Sequence, residues 1–341
     1  MSVFTPAGSI TSALSHFALF GLAAICESEL AVSARVWWTD ERIPHPQLDA
    51  GREPRAVAEA VHRHATKRAS PDSWLAAQLE HEERTTAAFS PRIKAPSSPS
   101  AWRHLQTTRH AALDRLVAGH NWLDLRMVGA LGEPSYWLAD KSPDGGASRW
   151  EMKTRNRGEE FVGNRLLPVA NCVAARQVEE VLSGLTGGTI NDEVARNQPD
   201  SRSATGFARP GPVDNALVWC TLWGISQFPV VHHTDAQSVT AGTYVPGKRT
   251  HPTFVFLPAP TRPTTLARLR TIIASMHLFV VGSVAQNSKP LDEIAAAVSR
   301  KWLADRGIRA LIRFPVDVSD NPSAPERQVL DGVAIPLGGQ L

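Results

Sequence analysis

Asp144, Glu151 and Lys153 are the residues whose types and spacing come nearest to a reaction centre. Pro143-Asp144, six residues, then Glu151-Met152-Lys153 satisfies the PD-(D/E)-x-K pattern of many metal-dependent nucleases. In that chemistry two carboxylates hold Mg2+, and the lysine positions or activates the attacking water. The pattern is short, and Gly145-Gly146 directly after Asp144 also reads as an ordinary turn. The same stretch supports a second chemistry, a grip on phosphate. Arg149, Lys153, Arg155 and Arg157 crowd into residues 148–161, Arg165 follows, and Lys248-Arg249 make a further basic pair. Cations held on fixed backbone suit phosphate contacts, while an acidic protein surface or plain solvent would also satisfy them.

Other chemistries find no foothold. His62 and His64 are two apart on an expected helix and point in different directions, and His232, His233 and His251 show no ligand-like spacing, so no metal site is expected. Cys26, Cys172 and Cys220 each lie in apolar surroundings and read as buried small hydrophobes in a reducing compartment. No Gly-x-Gly-x-x-Gly follows a strand, and neither a P-loop nor a Gly-x-Ser-x-Gly is present, so no cofactor is expected.

The bulk numbers bound the class. With 341 residues, 43% hydrophobic and 20% charged, the chain can bury a core and is not disordered overall. A net charge of +3 and a pI near 8.9 exclude a histone-like polycation but leave room for local basic surfaces.

The elements that must position these residues follow from periodicity. Residues 148–155 alternate as a strand, with Trp150, Met152 and Thr154 on one side and Arg149, Glu151, Lys153 and Arg155 on the other. Asn156, Arg157 and Gly158 read as a turn, and Glu159-Glu160 as the acidic start of the next element. Tyr136, Trp137 and Leu138 read as a partner strand, paired through the turn at residues 143–146 into a hairpin. Helices are expected over residues 9–28, 56–66 behind Pro54, from 70–71 onward, 100–118, 166–185, 216–228 capped by Asp214, 264–276 and 292–304. Strands are expected at 32–39, 253–257, 277–281, 308–314 and 329–335, and residues 121–131 fit either type.

The fold class is therefore mixed α+β, a strand-hairpin centre with several amphipathic helices. The match of Leu19-Phe20-Gly21-Leu22 to Leu222-Trp223-Gly224-Ile225 adds the option of two related halves. Gly21 within a helix disfavours it by about 1 kcal/mol relative to alanine, which points to a close backbone approach. Three regions are expected. They are a helix-strand-helix region at 1–90, a central helix plus basic hairpin at 100–188, and an α/β region at 214–341, with linkers at 90–99 and 190–213. Residues 10–26 are the most apolar, lack a preceding positive segment and are interrupted by Ser12, Ser15 and His16. They read as a core helix, not a signal peptide or membrane span, and the expected location is the cytoplasm.

Residues 17–24 (Phe-Ala-Leu-Phe-Gly-Leu-Ala-Ala) followed by Arg35-Val36-Trp37-Trp38, the central residues 148–161, and residues 222–229 (Leu-Trp-Gly-Ile-Ser-Gln-Phe-Pro) carry a resemblance. Together they resemble the Csb-type large-subunit family of type I-U (also called I-G) CRISPR systems, over about residues 10–280. The resemblance implies a non-catalytic subunit of a Cascade-like effector, one that helps hold guide RNA and stabilise opened target DNA. Its implied partners are CRISPR RNA, target DNA, other effector subunits, and a helicase-nuclease recruited in trans. None of the matching stretches is a catalytic signature.

Overall fold

The computed structural model describes residues 3–81, 84–138, 144–152, 161–201, 205–231, 238–245, 251–284, 290–321 and 325–338. The chain opens with β1 (Val3–Phe4), α1 (Ala13–Leu30), β2 (Arg35–Trp38), β3 (Pro46–Asp49) and α2 (Pro54–Ala69). A hairpin of β4 (Gln78–His81) and β5 (Arg84–Ala87) leads to α3 (Pro99–Ala118), α4 (Trp122–Leu131), α5 (Leu167–Ala174), α6 (Val178–Thr186) and α7 (Asn215–Gly224). Then come the short strands β6 (Val230–Val231), β7 (Val239–Thr240) and β8 (Thr243–Tyr244), β9 (Phe254–Pro260), and β10 (Thr264–Thr265). The described chain closes with α8 (Leu266–Ile273), α9 (Met276–Val284), α10 (Pro290–Ala304), β11 (Ile308–Val318), β12 (Arg327–Val329) and β13 (Val333–Pro336). The class is mixed α+β, as the periodicity required.

The centre is the crossing of α1 with α7. Ala13 through Cys26 are all buried, so α1 has no polar stripe and its sequence reads as unbroken apolarity. It is long and apolar enough to cross a bilayer, yet 78% of it is buried inside the protein, as a core helix would be. Two glycines set the crossing. A Cβ on Gly21 would stand 1.8 Å from the carbonyl oxygen of Cys220, and one on Gly224 would stand 2.2 Å from that of Phe17. Backbone touches backbone at both points, which only glycine permits.

This contact is reciprocal, and the sequence repeats around it. Phe4, Gly8, Ala13, Leu14, Leu19 and Gly21 recur in the same order and spacing as Phe207, Gly211, Ala216, Leu217, Leu222 and Gly224. Under that match Phe17 corresponds to Cys220, so the two glycine contacts map onto each other. Gly8 and Gly211 also share nearly the same φ, 157° and 159°. The short Leu-aromatic-Gly match thus belongs to a longer repeat whose two copies meet at reciprocal glycine contacts.

Two antiparallel sheets flank this pair. The first runs β1-β3-β2-β10, so the N-terminal strands are completed by Thr264 and Thr265 from far along the chain. The second runs β12-β11-β9-β8, with β13 also on β11. All seven residues of β9 are buried, which is why it reads as a continuous apolar run without alternation. One hydrophobic cluster reaches from Phe4 to Val329 and draws on all three regions expected from sequence; a smaller one joins α8, α9 and α10 to the second sheet.

Several expectations are corrected. Residues 43–51, which their proline and glycine mark as a loop by sequence, contain β3, whose Leu48 is fixed opposite Val36 by sheet pairing. The helix expected from residue 70 is a short 3-10 turn, Trp74–Ala76, followed by the β4–β5 hairpin. Residues 277–281 lie in α9, because an apolar run of this length fits a buried helix as well as a strand. Residues 166–185 form α5 and α6 with a break at Ala175 to Gln177, where a capping box restarts the helix. The linker reading of 90–99 also fails at its start: Ser90, Arg92 and Ile93 are buried.

Candidate functional site

Residues 144–152 do not form half of a hairpin. Tyr136 and Trp137 belong to a 3-10 turn, Ser148 to Glu151 make a tight turn of their own, and the one bridge nearby joins Gly132 to Ala147. Both faces of the expected strand's described part, residues 148–152, are inside the protein. Trp150 packs against Phe17 and Phe228 at ring distances of 4.5 and 5.1 Å, and its indole N–H donates to Ala241 O at 2.7 Å. The alternation is real, but it separates an apolar surrounding from an ionic one rather than core from solvent.

The ionic side is organised by Arg92, which sequence reasoning left in a linker. Its Nε donates to Asp144 Oδ1 at 2.6 Å and its Nη1 pairs with Glu151 Oε2. Burial alone would lower the Arg92 pKa, but Glu151 and Asp144 outweigh it and raise it, so the guanidinium stays charged. Arg327 comes in beside them: Nη1 donates to Nδ1 of His251 at 2.9 Å and Nη2 to the Glu151 carbonyl at 3.4 Å. Burial, opposed by Asp144 and reinforced by the neighbouring Arg92 and Arg149, lowers the Arg327 pKa to about 10. A buried carboxylate between Trp150 and Met152 signals that a cation must meet it, but nothing in the sequence points to Arg92 or Arg327 as that cation.

The expected phosphate contacts divide into two groups. Arg149 and Arg165 are only 1% and 4% exposed, a correction to their reading as surface cations. Arg149 donates to the carbonyls of Asp144 and Gly145 and its backbone N–H to Thr240 Oγ1 at 3.0 Å. Arg165, in a π-helical turn at Val162–Leu166, donates from Nη1 to the carbonyl of Met152. That bond ties together the two described flanks of the most cationic stretch, Met152 and the turn beginning after Phe161, and both flanking residues are buried. Lys153, Arg155, Arg157, Lys248 and Arg249 lie outside the described residues, as do His232 and His233.

The nuclease triad is half assembled. Asp144 and Glu151 do converge, but on a guanidinium that occupies the position a cation would take between them, and Lys153 lies outside the described residues. Among the described residues no group of three or more His, Cys, Asp or Glu is placed to hold a metal ion. The chemistry of this set is that of a structural tie. Charged groups this deep are retained only when paired.

No protein-family model matches the chain, and no curated protein matches it.

Proposed function

We propose that the chain is a non-catalytic, cytoplasmic subunit of a CRISPR RNA-guided DNA surveillance complex, in which Lys153, Arg155 and Arg157 grip a nucleic-acid phosphate backbone. The observation that carries this reading is the anchoring of both flanks of the cationic stretch. Glu151 is held by Arg92, Arg327 binds the Glu151 carbonyl, and Arg165 closes onto Met152. A phosphate grip needs cations on backbone that does not yield, and a buried ionic tie supplies such a base. The likeness of residues 17–24, 148–161 and 222–229 to Csb-type large subunits supplies the complex and its partners: guide RNA, target DNA, other subunits and a separate helicase-nuclease. Arg149 and Arg165 then act as braces, not contacts.

The test is the salt dependence of nucleic-acid binding by the assembled complex. Each phosphate contact contributes close to one unit to the slope of log K against log salt. Changing Lys153, Arg155 and Arg157 together to alanine is expected to flatten that slope by about two to three units while the fold survives. An unchanged slope would remove these residues from the interface. Mg2+- or Mn2+-dependent cleavage that disappears in Glu151→Ala would contradict the non-catalytic reading.

A further inference from the structure

A cavity of about 640 Å3 opens between α4, the segment from Ser226 to Val230, and α8. That is the size range of a small-molecule site. Its walls are small or apolar, with Gly129 and Ala130 on α4, Pro229 opposite, Ala267 on α8 and Ala274 just past its C-terminal end. Two guanidiniums enter it, Arg126 from α4 and Arg270 from α8. Arg270 is steadied by Gln227, whose Oε1 accepts from Nη1 at 2.9 Å. Arg126 makes no hydrogen bond or ion pair with any described residue.

The site is short of negative charge. Burial and the nearby Arg270 both lower the Arg126 pKa, and among the described residues the carboxylate of Glu27 acts against them. Glu27 is itself half-buried and accepts from the Ala34 N–H at 3.3 Å. The helix carrying Arg126 is firmly placed: Asp124 on its buried side pairs with Arg68 and accepts from the Trp74 indole at 2.7 Å. The exposed side of α4 carries Trp122, Arg126 and Gly129, spaced to share one helix face. Trp122 is 56% exposed, so an aromatic surface stands one turn from a cation that no described residue hydrogen-bonds. An aromatic plane beside a guanidinium is the combination that takes up a base and its phosphate.

We propose that this cleft binds the phosphate of a nucleotide between Arg126 and Arg270, with the adjoining base on Trp122. The inference rests on the nucleic-acid reading of the chain, at a place separate from residues 153–157. A strand threading the complex and a free nucleotide share this chemistry, and the experiment tells them apart.

Full-length protein is titrated against a fluorescein-labelled single-stranded RNA of about 12 nucleotides, and separately against adenosine monophosphate, with Trp fluorescence as the second readout. Arg126→Gln, which breaks no hydrogen bond or ion pair among the described residues, is expected to weaken RNA binding several-fold and lower the salt slope by about one unit. Gly129→Phe is the charge-neutral control: Gly129 lines the cleft and a Cβ there meets nothing within 4 Å, so added bulk at this wall is expected to lower RNA binding. Loss in these variants with full RNA binding in the Lys153/Arg155/Arg157 alanine variant supports the cleft while contradicting the proposed grip. Loss only in the alanine variant overturns the cleft and leaves the grip standing. Adenosine monophosphate binding that depends on Arg126, without RNA binding, supports a free nucleotide as the source. Neither ligand responding to Arg126→Gln or Gly129→Phe would overturn the proposal.

Discussion

Alanine at Gly21 is expected to destabilise the protein by about 3 kcal/mol or more, at the upper end of overpacking effects. The added methyl carbon would lie 1.8 Å from a backbone oxygen and 2.6 Å from the Gly224 nitrogen, so no side-chain rotation relieves it. The helices α1 and α7 must separate, and the layer of Phe17, Phe20, Trp150, Trp223 and Phe228 around their crossing separates with them. Gly224→Ala is expected to behave alike, because its methyl meets Phe17 in the mirrored contact. Urea unfolding followed by tryptophan fluorescence measures both. Gly129→Ala is the internal comparison, being helical, exposed and unobstructed, and there the better helix propensity is expected to stabilise by up to about 1 kcal/mol. If Gly21→Ala unfolded like the wild type, the tight crossing would not exist.

Removing Arg92 is expected to have an effect of similar size for an electrostatic reason. Arg92→Met leaves Asp144 and Glu151 close together with their shared countercharge gone, and breaking a buried pair from one side typically destabilises by about 3–5 kcal/mol. Adding Glu151→Gln to Arg92→Met removes one of the stranded charges. The double variant is therefore expected to lose clearly less stability than the two single variants summed. Strict additivity in a double-mutant cycle would mean that Arg92 and Glu151 do not interact as described. The cycle also bears on function, since the same network fixes the entry to residues 153–157.

What could be read from sequence was what local periodicity encodes. The cores of α1, α2, α3, α7 and α10, the cap at Asp214 and the strand β9 are set by apolar spacing, Pro54 and a turn-favouring flank, and they stand close to where those signals placed them. Misreadings fell where distant partners decide. β3 is a strand because β1 and β2 pair with it, and Arg92 is a core residue because Asp144 and Glu151 wait for it many residues later. The alternation at Trp150 and Met152 located a buried segment correctly but could not say that its polar face was buried too. Arg126 went unnoticed because residues 121–131 fit either period; once helical, Trp122, Arg126 and Gly129 fall on one face. The Leu-aromatic-Gly echo was too short alone, and only the reciprocal glycine contact gives the longer repeat its meaning.

The most direct measurement is of what the chain carries when isolated from its native source with its partners attached, by tagging the chain, extracting the nucleic acid and sequencing it. The expected result is a multi-protein assembly holding guide RNA. A stable assembly free of nucleic acid, or the chain recovered alone with none, would contradict it.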